Sequence, residues 1–207
     1  MDGVRTDFDP TDLGPRDFYR LLNSVVVPRP IAWVSTTSAD GVDNLAPHSF
    51  FTVACVDPPV VQFTSVGRKD SLTNAEATGE FTVCTTPEWL FEQINATGTN
   101  FPADVGEFAE VGVEKEPSLR VRPPRVAGSP VALECVLERT LELGDSTVVF
   151  GRVVHAAIAD DVLVDGRPEI RRLKPLARLG GDEWSTIGEV RSIPRIRYDD
   201  WPRGYRS

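Results

Sequence analysis

Residues 65–73 read SVGRKDSLT, and in nine positions they collect most of what an anion site requires. Arg68 and Lys69 bring positive charge, Lys69 being one of only three lysines in the chain, while Ser65, Ser71 and Thr73 bring hydroxyls. Gly67 lets the main chain come close to a ligand. An apolar run precedes this loop, and a helix-like stretch ending at Gly79 follows it, with Ser71 as the expected N-cap. A helix start offers free N–H groups and the positive end of a dipole, both suited to a phosphate. The same residues also fit a plainer account, in which Ser71 only caps the helix, Asp70 favours its first turn and the two cations are solvated. Spacing alone leaves both readings open.

Other chemistries lack their residues. His48 and His155 are the only histidines, and neither stands at ligand spacing from a cysteine or another histidine, so no metal site is expected. The nucleophile elbow Gly-x-Ser-x-Gly, the phosphate-loop pattern of nucleotidases and the dinucleotide fingerprint Gly-x-Gly-x-x-Gly are all missing. The 31 acidic residues are spread along the chain, and no catalytic carboxylate pair stands out among them.

The elements that must position the loop are mostly strands. Residues 15–23 form an amphipathic helix opened by Pro15. Strands are expected at 31–36, 44–53 and 60–64, the first two joined as a hairpin around Ser-Ala-Asp-Gly. A helix from Ser71 to Gly79 leads into the strand EFTVCTT, and PEWLFEQINATG repeats a helix signature. Residues 95–126 are loop-rich. Residues 131–143 alternate as a half-buried strand, and a turn at LGDST leads into a second long strand, VVFGRVVHAAIADDVLV. This spacing points to an antiparallel barrel with a few helices at its rim.

With 207 residues of ordinary globular composition, a single domain spanning 1–207 is expected. A net charge of −9 without a basic block argues against nucleic acid as a partner. Cys55, Cys84 and Cys135 are few, widely spaced and set in apolar segments, as buried reduced thiols would be. The acidic N-terminal residues do not read as an export signal, and no apolar run reaches membrane-spanning length. A cytoplasmic protein is expected.

Four blocks together resemble the flavin reductase-like family of FMN-binding split barrels. They are RPIAWVSTTSADGVDNLAPHSFF at 29–51, DPPVVQFTS, KDSLTNAEATGEF, and LKPLARLGGDEW at 173–184. The first carries the family's Asn-x-Ala-Pro-x-Ser-x-Phe, and the third its Lys-Asp-Thr-x-x-Asn followed by Gly-Glu-Phe, with Ser71 in place of Thr. The likeness covers residues 18–189. It implies a mainly β protein, a six-stranded antiparallel Greek-key split barrel with short helices at the rim. It also implies a homodimer, with FMN in a groove at or near the subunit interface.

By position, the resemblance places Asn44, Leu45, Ala46, Pro47 and Ser49 along the flavin ring and ribityl chain. Ser65, Arg68, Lys69, Asp70 and Ser71 would surround the phosphate, and Arg178 would stand at the mouth. His48 and His155 are the candidates for a catalytic role beside a stacked nicotinamide. Trp184 stands where a tyrosine is usual, which keeps an aromatic lid but loses a phenol. The implied activity is hydride transfer from NADH or NADPH to FMN, and on to an acceptor such as a partner monooxygenase. The alternatives are a flavoredoxin-like electron carrier, a non-catalytic flavin-binding protein and, on a related barrel, a pyridoxamine-phosphate oxidase-like enzyme.

Overall fold

The computed structural model describes residues 3–201; the first two and last six residues of the expected 1–207 domain lie outside the described residues. The protein is mainly β with short helices. Seven strands form one antiparallel sheet: β1 (Ala32–Thr37), β2 (Asp43–His48), β3 (Phe51–Cys55), β4 (Val60–Val66), β5 (Glu80–Cys84), β6 (Val131–Leu143) and β7 (Ser146–Ile158). Their order across the sheet is β2-β1-β5-β6-β7-β4-β3.

The strand count corrects the expected six. The single strand expected at 44–53 is two strands, because beyond His48 the chain leaves β1 and crosses to the opposite edge of the sheet. Phe50, in the crossing, already accepts a hydrogen bond from Thr64 N of β4 at 2.9 Å. Pro47 tolerates its place because β2 is an edge strand, where a missing donor breaks no ladder. The two edges, β2 and β3, are not hydrogen-bonded to each other, so the curled sheet is not a closed barrel.

Both faces of the sheet are buried near β1, and alternate residues serve two clusters. Ala32 and Val34 join Phe63, Leu72, Phe81 and Val149 on one face. Trp33 joins Leu45, Ile94, Phe108 and Leu176 on the other. The long hairpin of β6 and β7 supplies the central pairing and carries a register shift at Phe150/Gly151. At Gly151 an added Cβ would lie 2.1 Å from Phe81 Cζ, so the bare main chain is what lets that ring fill the interior. The second long strand stops at Ile158 and gives way to a short 3-10 turn at Asp160–Val162.

Of the helices among the described residues, those that bear on the site are α1 (Pro15–Val25), α2 (Asp70–Thr78), α3 (Phe91–Ala96) and α4 (Glu107–Val111). None of the described helices is long and apolar enough to cross a membrane. The loop-rich stretch after α4 is tied down by Glu134, a fully buried carboxylate of β6. It accepts from Leu119 N, Arg120 N and the Arg125 guanidinium, the shortest contacts being 2.6 Å. Burial alone would raise its pKa, but these donors outweigh burial and hold it below the usual carboxylate value. Cys84 and Cys135 are buried as expected, burial pushing the Cys84 thiol up to about 12. Cys55 is instead exposed, because it ends β3, an edge strand with one partner whose last four residues are all exposed.

Replacement of Gly151 by alanine is expected to cost about 3 kcal/mol by overpacking against Phe81. Urea denaturation measures it; an unchanged midpoint would show that the ring has room to move.

Candidate functional site

The crossing from β2 to β3 leaves a cavity of about 390 Å³ beside the sheet edge. Its walls come from β2, the end of β4, the start of α2, the turn after α3, and α4. Along β2, Asn44, Ala46 and His48 share one face by the strand's period of two, and all three line the cavity. Leu45 points the other way, into the cluster around Trp33.

A buried polar chain organises the cavity floor. Glu107, at the first position of α4 and only 4% exposed, accepts from Asn44 Nδ2 at 2.7 Å and from Leu45 N at 2.9 Å. Ser71 Oγ donates to Asn44 Oδ1 at 3.1 Å, and His48 Nε2 lies 3.1 Å from the same hydroxyl. Asn74 and Thr36 extend the chain along α2 and β1. Burial raises the Glu107 pKa, with nearby Asp70 adding to it and the Leu45 and Asn44 donors opposing. Burial also pushes His48 down to about 4; the Thr64 main chain opposes this and Lys69 reinforces it. His48 is therefore a neutral ring at pH 7.

The anion end differs in detail from the expected helix cap. Helix α2 starts at Asp70, with Lys69 in the N-cap position and no side chain capping it. Ser71 is not the cap; it lies inside the first turn, its hydroxyl committed to the floor network. No side chain caps the first N–H groups of the helix, and Lys69, Asp70 and Ser71 at its start line the cavity. Arg68 is held by Glu76 at 2.6 Å, whereas Lys69 has no ion-pair partner among the described residues. Gly67, with φ of 74°, makes the turn that brings the two cations round.

Of the residues singled out in the sequence, Asn44, Ala46, Pro47, His48, Ser49, Arg68, Lys69, Asp70 and Ser71 line this cavity. Four do not. Leu45 contributes only its N–H, given to Glu107. Ser65 is fully buried and donates to Gly67 O at 2.8 Å, shaping the turn instead of facing the cavity. Arg178 lies on a small ribbon with Arg29 and Trp184, its guanidinium 4.5 Å over the Trp184 ring and bonded to Gly181 O. His155 lies seven residues along β7 from Val148, the partner of Thr64, and does not line the cavity.

Several wall residues gave no signal in the sequence. Glu107 was one acid among 31 in a loop-rich stretch. The turn at 97–101 had no periodicity, yet it is anchored from the core, where Trp33 Nε1 donates to Thr97 Oγ1 at 2.8 Å and Thr97 to Ile94 O at 3.0 Å. Tyr19 reaches the rim from α1 and meets Phe50 edge-on at 6.2 Å.

The depressed His48 pKa sets a sign for the ligand-free protein. The folded state holds this proton less tightly than the unfolded chain does, whose value is near 6.5. Its stabilising contribution is therefore complete above about pH 6.5 and is lost as pH falls through about 4. The loss is on the order of 3 kcal/mol. Urea midpoints across that window are expected to fall less in His48→Gln than in the unaltered protein; parallel curves would place the titration elsewhere.

The flavin reductase like domain family matches residues 24–174. An uncharacterized protein of Halalkalibacterium halodurans is 37% identical over 199 residues, 90% of this chain and 95% of that protein. Among solved structures, nitrilotriacetate monooxygenase component B from Bacillus cereus superposes with a TM-score of 0.89 at 31% identity, covering 93% of this chain and all of that one. A Shewanella frigidimarina structure described as having a split barrel domain shares the fold, with a TM-score of 0.82 at 21% identity over 90% of this chain and 96% of that one. On the extent of these matches, the chain belongs to the flavin reductase-like family.

Proposed function

We propose that this protein binds FMN in the cavity between β2 and α2 and transfers hydride from NADH or NADPH to it, the electrons passing on to an acceptor. The observation that carries the reading is the convergence of an unpaired Lys69, an uncapped helix start and a polar strand face on one cavity. The donor set suits a phosphate: a cation on a flexible stem beside N–H groups at the positive end of a helix. The volume falls within the range of small-molecule pockets.

Lys69 and the first N–H groups of α2 would hold the phosphate, while Arg68, already paired with Glu76, adds charge at longer range. Asp70 has no direct part there, since a carboxylate repels a phosphate. Ala46, Pro47 and Ser49 would flank the ring, and Phe101 and Tyr19 would keep water from it. When bound, the flavin supplies the hydride-accepting ring and the nicotinamide supplies the hydride; the chain's task is to orient them and exclude water. No acid or base of the protein is needed for that transfer. His155, so far along β7, has no role in it within one subunit. Exposed Val25 at the end of α1 and Val26 just after it, with Val53 of β3, support a homodimer whose second copy covers them. The likeness to a monooxygenase component supports a partner monooxygenase as acceptor.

The purified protein is expected to be yellow or to bind added FMN, and NADH or NADPH is expected to bleach that colour without oxygen. Bound FMN that neither nicotinamide bleaches would identify an electron carrier instead. Lys69→Ala is expected to weaken FMN binding by about 1.5 to 3 kcal/mol, the loss of a hydrogen bond to a charged group. An unchanged dissociation constant would remove the phosphate from this end of the cavity.

A further inference from the structure

The Glu107 carboxylate gives direction to the hydrogen bonds on the cavity floor. Its two oxygens have separate donors, Asn44 Nδ2 at 2.7 Å on Oε1 and Leu45 N at 2.9 Å on Oε2. A carboxylate has no hydrogen to give, so Asn44 must turn its amide nitrogen toward it and its carbonyl oxygen away. That oxygen lies 3.1 Å from Ser71 Oγ and 3.4 Å from Thr36 Oγ1, and both hydroxyls must donate to it. With its one hydrogen given to Asn44, each hydroxyl can only accept from its other neighbour. Thr36 Oγ1 accepts from Asn74 Nδ2 at 3.1 Å. Ser71 Oγ, 3.1 Å from His48 Nε2, calls for a hydrogen on that nitrogen. A neutral imidazole meets it as the Nε2–H tautomer, with Nδ1 bare.

The same contacts could run the other way. With its carbonyl oxygen toward residue 107, Asn44 would donate to Ser71, the Ser71 hydrogen would pass to His48 Nε2, and the ring would carry its own hydrogen on Nδ1. A carboxylate at 107 forbids this, because two acceptor oxygens would meet where Glu107 is only 4% exposed. The choice matters to the cavity. The Asn44 oxygen has two donors, whereas its nitrogen gives one hydrogen to Glu107 and keeps a second with no partner among the described residues. Asn44 lines the cavity, so the wall offers a donor here, where the reversed chain would offer an oxygen.

We propose that Glu107 is the positioning residue of this cavity: its carboxylate sets the direction of every hydrogen bond from Asn74 to His48, holds His48 as the Nε2–H tautomer, and leaves the second Asn44 amide hydrogen to donate to the ligand. The direction of the chain is a property of the ligand-free protein. Only the identity of the acceptor rests on reading the cavity as a flavin site.

Glutamine at 107 must keep its oxygen for Leu45 N, so its nitrogen would face Asn44 and the chain would reverse. Long-range ¹H–¹⁵N spectra of labelled protein distinguish the two tautomers, and with only two histidines in the chain a His155→Gln sample assigns the His48 signals. At neutral pH the unaltered protein is expected to hold the Nε2–H form and Glu107→Gln the Nδ1–H form. Ser71→Ala, which cuts the chain between Asn44 and His48 while leaving Glu107 in place, is expected to lose the preference. A Glu107 that only braced the fold would leave the tautomer where it was, so Nε2–H retained in folded Glu107→Gln overturns the proposal. So does Nδ1–H in the unaltered protein, which decides the matter even if neither variant folds. FMN is expected to shift the Asn44 amide hydrogen that Glu107 does not hold, and bound FMN that leaves it in place overturns the donor role. If FMN does not bind, the flavin reading falls, and the ligand-free tautomers alone uphold or overturn the role of Glu107.

Discussion

Two strands adjacent in sequence lie at opposite edges of one sheet, separated by only Ser49 and Phe50. That short connection is possible only if the sheet curls until its edges approach, and the curl decides where everything else goes. It puts the last residues of β2 beside the end of β4, and hence beside the loop that leads into α2. Residues from both edges can then meet in one cavity. A flat sheet of the same strands would keep the β2 face and the α2 start apart, with a polar strand face open to water.

Once the edges meet, the gap must be lined without leaving polar groups unmet, since each buried unsatisfied group costs about 1 to 3 kcal/mol. The chain solves this with Glu107, brought from a distant loop to accept from Asn44 and Leu45. Gly106 permits the approach, because a Cβ there would lie 2.8 Å from Asp43 O. Ser71 and His48 then complete the row. The arrangement rigidifies the floor while leaving Lys69 and the first N–H groups of α2 uncommitted. Stability and binding are thus divided between neighbours in the same loop: the hydroxyl at 71 is spent on structure, and the cation at 69 is left for a ligand.

Much of this was legible in the sequence because it depends on local rules. Alternation and turn residues marked most of the strands, and Gly79 marked the end of α2. The loop at 65–73 was visible as a concentration of cations and hydroxyls, and the four blocks tied it to a family. What stayed hidden was long-range. The break at Ser49 follows from pairing with β4, a partner that local pattern cannot name. Glu107 looks like any other acid until the fold sets it against Asn44. Arg178 and His155 carry chemistry-bearing groups, but neither lines the cavity: Arg178 lies on the ribbon with Arg29 and Trp184, and His155 lies further along β7.

The sequence by itself determined a mainly β chain of this family and a loop fit for an anion, since both rest on residue types and short spacings. Only the tertiary structure decided that Lys69 and not Arg68 is the uncommitted cation, because Glu76 holds the arginine once α2 has formed. Only it turned Ser71 from helix cap to part of a buried network, and made His48 a neutral ring beside an anion site. Those outcomes depend on burial and on partners from distant segments, and neither exists until the sheet has curled.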